Sequence, residues 1–85
     1  MSKRIVLGVH LSNRMKEAVE FQSVLSKCGC NIRTRVGLHD VADGVCSSAG
    51  LILLEMYGDE GQIAQCEAKL NAIEGVEVQK MVFEE

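Results

Sequence analysis

Residues 4–29, RIVLGVHLSNRMKEAVEFQSVLSKCG, contain the change of hydrophobic period that decides the fold. In residues 4–11 apolar side chains occupy alternate positions, which is typical of a strand with one buried face. In residues 14–28 they recur every three or four positions, as on an amphipathic helix. The two polar residues between these segments can cap the helix, and Gly29 is placed to end it in a left-handed conformation. The stretch therefore predicts a strand, a short loop and a helix.

The rest of the chain repeats this pattern with one more strand. Strands are predicted for residues 30–38, 49–57 and 76–83, and a second amphipathic helix for residues 60–73. The order βαββαβ indicates an α+β, ferredoxin-like fold, in which right-handed crossovers place both helices on one face of a four-stranded antiparallel sheet. The first and third strands are apolar on nearly both sides and should be central, which gives the spatial order 4-1-3-2. We expect residues 1–85 to form a single domain.

The sheet face turned away from the helices is predicted to carry large apolar side chains. Both alternate sets of the third strand include large apolar side chains, and one set must face away from the helices: either Leu51 and Leu53, or Ile52, Leu54 and Met56. A contiguous exposed apolar patch is uncommon on a monomer, although scattered apolar residues are tolerated. The sequence therefore favours a homodimer or tetramer. The other residues predicted for this face are Val6, Gly8, His10, Asn31, Arg33 and Arg35.

Composition limits the partners and the compartment. The 85 residues are 47% apolar and 4% aromatic, and the formal net charge is −3, which argues against a nucleic-acid partner. The apolar run at the start of the chain is too short to span a bilayer, and no small-residue cleavage site follows it. These features predict a cytoplasmic protein without a membrane partner. Its four cysteines are then expected to be thiols.

Several landmarks carry a resemblance to a known family: RIVLGVHLSNR (4–14), NIRTRVGL (31–38), GLILLEMYGD (50–59) and LNAIEGVEVQKMVF (70–83). With them, almost the whole chain resembles the iron-only hydrogenase system regulators. These small stand-alone proteins are similar to ACT domains and to the C-terminal domain of the nickel-responsive regulator. The resemblance implies an ACT-like, ferredoxin-like fold, homodimers or tetramers, and a regulatory role through sensing of a small ligand.

The same resemblance points to Ser12, Asn13 and Arg14 as a ligand site. In ACT domains the ligand commonly lies at a subunit interface, near the loop between the first strand and the first helix. This loop lacks the acidic residue and the glycine that are typical there, so binding of an amino acid is doubtful. Free N–H groups at the start of the helix and the positive charge of Arg14 would suit a small anionic ligand. The alternative is that Ser12 or Asn13 caps the helix and Arg14 is solvated.

A metal site is the second hypothesis, and it involves the stretch GLHDVADGVC at residues 37–46. In the nickel-responsive regulator the ligands are histidines and a cysteine near the second and third strands, completed by a histidine of another subunit. His39 and Cys46 flank the corresponding connection, and His10 of a neighbouring subunit could complete a nickel or zinc site. The spacing matches neither CxxC nor HxH, however, and aspartates and glycine are ordinary turn residues. A plain hairpin loop is favoured, and no cofactor is predicted.

Catalytic chemistry has the least support. The sequence has no GxSxG motif, no phosphate-binding glycine loop and no paired catalytic carboxylates at a known spacing, so we expect no enzyme. Cys28 and Cys66 lie on apolar stripes and are predicted to be small core residues. Cys30 lies close to Cys28, but the pair is not a redox CxxC turn. Arg33 and Arg35 are predicted to share one strand face, as a solubilising edge or as a joint grip on an anion.

Overall fold

The computed structural model describes residues 3–42 and 45–85, and within them every side chain except those of residues 14–16, 39–42 and 45–49. Its elements in chain order are β1 (Lys3–Leu11), α1 (Arg14–Lys27), a 3₁₀ turn (Gly29–Asn31), β2 (Ile32–Ala42), β3 (Val45–Met56), α2 (Glu60–Asn71) and β4 (Val76–Glu84). The strands form one antiparallel sheet in the order β2-β3-β1-β4. This is the predicted order 4-1-3-2 read from the other edge, and the ferredoxin-like α+β fold is confirmed.

The core lies between the sheet and the two helices. β1 alternates between buried and accessible positions, so that Leu7 and Val9 are fully buried under the helices while His10 is exposed on the other face. Central β3 contributes Leu54 to the same layer, opposite Leu7. The helices thus cover only one face of the sheet, and the alternating apolar side chains on that face are the buried ones. Among the side chains that the structure describes, the buried apolar residues are Ile5, Leu7, Val9, Leu11, Phe21, Leu25, Cys28, Leu54, Met56, Ile63, Cys66, Leu70, Ile73 and Val76.

The hairpin of β2 and β3 is longer than predicted, and the predicted loop over residues 39–48 is wrong. β2 continues to Ala42 and β3 begins at Val45, with these two residues paired across the strands. Asp43 and Gly44 lie outside the described residues.

A bulge in β2 changes which residues share a face, and it corrects the predicted faces of Asn31 and Arg35. Ile32 is opposite Met56 but Thr34 is already opposite Glu55, so β2 has one extra residue there. Beyond the bulge, Arg35 falls on the helix side, where its Nη1 donates to Gln22 Oε1 at 3.3 Å. Asn31 lies before the bulge, in the 3₁₀ turn.

The helix ends also differ from the prediction. Cys28 follows α1 and its amide donates to the carbonyl oxygens of Val24 and Leu25, and the chain then continues into the 3₁₀ turn. Gly29 therefore does not end α1 in a left-handed conformation. α2 ends at Asn71, and Gly75 has a φ of +86° just before β4.

Cys28 and Cys66 are buried, as predicted, but they are joined as a disulfide rather than kept as thiols. Their Cα atoms are 6.0 Å apart, within the usual range for a disulfide. The two apolar stripes that place these cysteines in the core come from helices packed side by side, and this packing brings the sulfur atoms together. The bond ties the end of α1 to the middle of α2.

Candidate functional site

The sheet face away from the helices, here called the open face, is the first candidate surface. Strand register and alternation place on it Arg4, Val6, Gly8, His10, Thr34, Val36, Leu38, Leu51, Leu53, Glu55, Glu77, Gln79, Met81 and Phe83. Val36, Leu38, Met81 and Phe83 are between 45% and 53% exposed, and Leu53 at the centre is only partly covered. The predicted apolar face is confirmed, with Leu51 and Leu53 as its β3 members.

A groove crosses the middle of the open face. Its volume is about 390 Å³. Gly8 forms the floor, since it has no side chain and the nearest atoms to an added Cβ would be Leu53 Cδ2 and Gln79 O, both at 3.8 Å. The walls are mostly aliphatic, with polar groups at one end. The lining residues are Gly8, His10, Leu51, Leu53, Glu77, Gln79 and Met81.

The two ends of the open face carry different charges. At one end the Glu55 carboxylate forms salt bridges with Arg4 Nε at 3.5 Å and with Arg33 Nη1 at 4.0 Å. Two guanidinium groups therefore share one carboxylate. At the other end Glu77 is opposite His10 and accepts a hydrogen bond from Gln79 Nε2 at 3.1 Å. The Arg4 end of the open face therefore presents two guanidinium groups, and the Glu77 end presents a carboxylate.

The predicted ligand loop between β1 and α1 is organised by Glu17, a residue that sequence reasoning missed. The Ser12 hydroxyl donates to Glu17 Oε2 at 2.9 Å, and the Asn13 N–H donates to Glu17 Oε1 at 3.1 Å. Glu17 is only 5% exposed, and both of its oxygens accept hydrogen bonds. The protein thus supplies its own carboxylate at the start of α1, where free N–H groups and the helix dipole favour negative charge.

Gly75 packs directly beneath this carboxylate. The Ser12 N–H donates to the Gly75 carbonyl oxygen at 3.0 Å, which joins the loop to the start of β4. A Cβ at Gly75 would overlap Glu17 Oε2 and lie 2.7 Å from the Ser12 hydroxyl oxygen. Ser12, Asn13, Glu17 and Gly75 therefore form one closely packed unit. The side chain of Arg14 lies outside the described residues, and a ligand at Ser12, Asn13 and Arg14 stays a prediction.

The structure separates Arg33 from Arg35, and it leaves the metal hypothesis untested. Arg33 lies over the Tyr57 ring at 5.2 Å from its centroid, whereas Arg35 lies 5.7 Å from the centroid of Phe21 on the helix side, so the two do not grip one anion. His10 is on the open face, but the side chains of His39 and Cys46 lie outside the described residues. Among the side chains that are described, no group of three or more His, Cys, Asp or Glu could hold a metal ion. The nickel or zinc site stays a prediction.

The chain matches no known family model and no curated protein. Its fold is similar to that of solved structures. The uncharacterized protein TM1266 from Thermotoga maritima is 24% identical, with a TM-score of 0.81 over 98% of this chain and 100% of that one. A nitrogen regulatory PII-like protein from Thiomonas intermedia K12, bound to ADP, AMP and bicarbonate, is 14% identical, with a TM-score of 0.55 over 99% and 96% of the two chains.

A formyltetrahydrofolate deformylase from Pseudomonas putida KT2440 has a TM-score of 0.57 at 12% identity. The match covers 92% of this chain but only 28% of the deformylase. At these identities the likeness establishes a shared ferredoxin-like fold. In the described part of the chain, neither helix has the length and apolar character needed to cross a membrane.

Proposed function

We propose that this chain is an ACT-like regulatory module that acts as a homo-oligomer and binds a small anionic ligand at subunit boundaries. It would be a cytoplasmic protein of the kind represented by the iron-only hydrogenase system regulators, without catalytic activity of its own. The observation that carries the proposal is the open face, because a folded domain with one bare aliphatic sheet face gains stability when another molecule covers it.

A second copy of the chain is the occupant that fits this face best. A two-fold axis running across the strands would place the Arg4 end of one copy over the Glu77 end of the other, so that the opposite charges meet. The same axis would bring the apolar centres together, with Leu53 and Met81 of each copy near the groove of its partner. One self-complementary patch on both subunits is what a two-fold dimer requires.

The binding of an anionic ligand is supported by the loop chemistry and by one protein of similar fold. The PII-like protein from Thiomonas intermedia K12 is nitrogen regulatory and was bound to ADP, AMP and bicarbonate, all of which are anions at neutral pH. In this chain the corresponding proposal is an anion at Ser12, Asn13 and Arg14. Such a ligand would accept hydrogen bonds from the Ser12 hydroxyl and the Asn13 N–H, which now donate to Glu17. Its affinity therefore depends on the free energy needed to break those two bonds.

Regulation would follow from linkage between the ligand and the assembly. A ligand that contacts two subunits binds the assembled form more tightly than the separate chains, and it shifts the assembly by no more than that difference in affinity. The output would be a change in oligomeric state or in the surface offered to a partner protein.

Titration of the purified chain with ADP, AMP and bicarbonate tests the ligand proposal. We expect at least one of them to raise the melting temperature, because a ligand at about 100 times its Kd stabilises the native state by about 2.7 kcal/mol. Arg14→Ala should weaken the binding roughly tenfold or more through loss of a charged contact. Glu17→Gln should strengthen it, since the competing carboxylate is gone.

Lys27→Ala is the matched control, because it removes an exposed positive charge from the opposite end of the same helix. It should bind the same anion as the unmodified chain does. If none of the three anions changes the melting temperature, or if Arg14→Ala binds as tightly as Lys27→Ala, the ligand proposal is wrong.

A further inference from the structure

Three of the four cysteines line one depression at the end of α1, well away from the open face. The disulfide partners Cys28 and Cys66 and the free thiol of Cys30 all border this space of about 310 Å³. The complete lining is Lys27, Cys28, Cys30, Asn31, Gln62, Gln65, Cys66 and Lys69. A free thiol beside a disulfide is the arrangement that thiol–disulfide exchange needs.

The backbone places Cys30 between two residues that are attached to α2. Before it, Cys28 is bonded to Cys66, and after it, Asn31 Nδ2 donates to Gln62 Oε1 at 3.1 Å. Gln62 lies one helical turn before Cys66 on the same face of α2. The Asn31 N–H also donates to the Cys28 carbonyl oxygen at 2.9 Å, which fixes the 3₁₀ turn between these two attachments. Cys30 is therefore held within the short stretch that faces the disulfide.

The three sulfur-bearing residues differ sharply in their access to solvent. Cys66 is 1% exposed and Cys28 is 6% exposed, whereas Cys30 is an exposed thiol. An external thiol can therefore contact the Cys30 sulfur more easily than the buried disulfide. Access to the sulfur atom is one of the factors that set the rate of thiol–disulfide exchange. An internal nucleophile removes this barrier because it needs no external molecule to enter the core.

We propose that Cys30 is a relay thiol which opens the Cys28–Cys66 disulfide by exchange. The Cys30 thiolate attacks the Cys66 sulfur and a Cys30–Cys66 bond forms. The Cys28–Cys66 bond breaks, and its electron pair leaves on the Cys28 sulfur, which takes up a proton. The bridge now has its exposed end at Cys30. An external thiolate attacks that sulfur and releases Cys66 as a thiol, and a second external thiol removes the mixed disulfide from Cys30. Two external thiols become one external disulfide, and the protein gains two thiols.

The depression also indicates the class of external thiol. Lys27 and Lys69 border it, so it carries two positive charges beside the sulfur atoms. Small thiols that bear carboxylates, such as glutathione, match this charge. Opening the bridge would release the tie between α1 and α2, whose cysteines are 38 residues apart in the chain. The α1–α2 packing would then depend on the redox state around the protein.

Reduction of the oxidised chain by reduced glutathione tests the relay, with samples quenched in acid and alkylated over time. Loss of the Cys28–Cys66 bond, followed by tandem mass spectrometry of linked peptides, should be about tenfold or more slower in Cys30→Ser than in the unmodified chain. The unmodified chain should also yield a Cys30–Cys66 peptide and glutathione on Cys30. Cys46→Ser is the matched control and should keep the unmodified rate. Circular dichroism, with Cys30→Ala as a second variant, checks that the fold is intact.

The proposal is overturned if Cys30→Ser and Cys30→Ala are reduced as fast as the unmodified chain, or if Cys46→Ser slows the reaction equally. It is also overturned if mild oxidation of the purified chain produces no Cys28–Cys66 bond.

Discussion

Met81→Glu is expected to separate the subunits while leaving the fold of each chain intact. Met81 is on the open face and 48% exposed in the single chain, so a glutamate there is solvated and costs little when the chain is alone. In an assembly closed by this face, each subunit would bury an unpaired carboxylate in an apolar interface. We expect the dissociation constant to rise about 100-fold or more, since each 1.4 kcal/mol is a factor of ten. Sedimentation velocity over a concentration series measures this change.

Val19→Glu is the control for this substitution. Val19 is 81% exposed on α1, on the opposite side of the molecule from the open face. Val19→Glu also replaces an exposed apolar side chain with a carboxylate, but outside the proposed interface. This variant should therefore sediment like the unmodified chain. An equal loss of assembly in both variants would mean that the added charge, rather than its position, drives dissociation. Normal assembly of Met81→Glu would mean that the open face is not the interface.

Among the described glycines that could be changed to alanine, Gly75 is expected to give the largest loss of stability. The φ of +86° at Gly75 is unfavourable for a residue with a Cβ, and that Cβ would overlap the Glu17 carboxylate. Relieving the overlap breaks the hydrogen bonds from Ser12 and Asn13 and leaves buried polar groups unsatisfied. We expect a loss of about 3 kcal/mol or more in the free energy of unfolding. Urea denaturation followed by circular dichroism gives the value.

Gly29→Ala serves as the matched control. An added Cβ at Gly29 would have no atom within 4 Å, and Gly29 is not among the glycines with positive φ. The same chemical change should therefore alter the free energy of unfolding by no more than about 1 kcal/mol, with a gain as the expected sign. Comparable losses at Gly29 and Gly75 would contradict the packing described for Glu17.

The architecture was predictable because hydrophobic period reports directly on which side of an element is buried. Alternation in β1 and a 3.6-residue period in α1 are local signals, and the order of elements leaves few allowed topologies. The faces of β2 were not predictable in the same way. A single extra residue near Arg33 exchanges the two faces of residues 34–38, and nothing in the alternation of residues 30–38 marks where the ladder slips.

The buried position of Glu17 and the Cys28–Cys66 disulfide were not predicted from the sequence, for different reasons. Glu17 is in the first turn of α1, where acidic residues are common on the surface, and its burial depends on Gly75 from another part of the chain. The apolar stripes did place Cys28 and Cys66 in the core. Whether two core cysteines lie close enough to bond depends on the side-by-side packing of α1 and α2, which periodicity does not specify. Compartment reasoning then favoured thiols.

Sedimentation equilibrium of the unmodified chain at micromolar concentration tests the central proposal most directly. The measured mass shows whether the chain stays single, with its open face exposed to solvent, or associates. One chain has a mass of 9.3 kDa. We expect a species of at least two chains. A folded species with the mass of one chain, unchanged across the concentration range, would contradict the proposal.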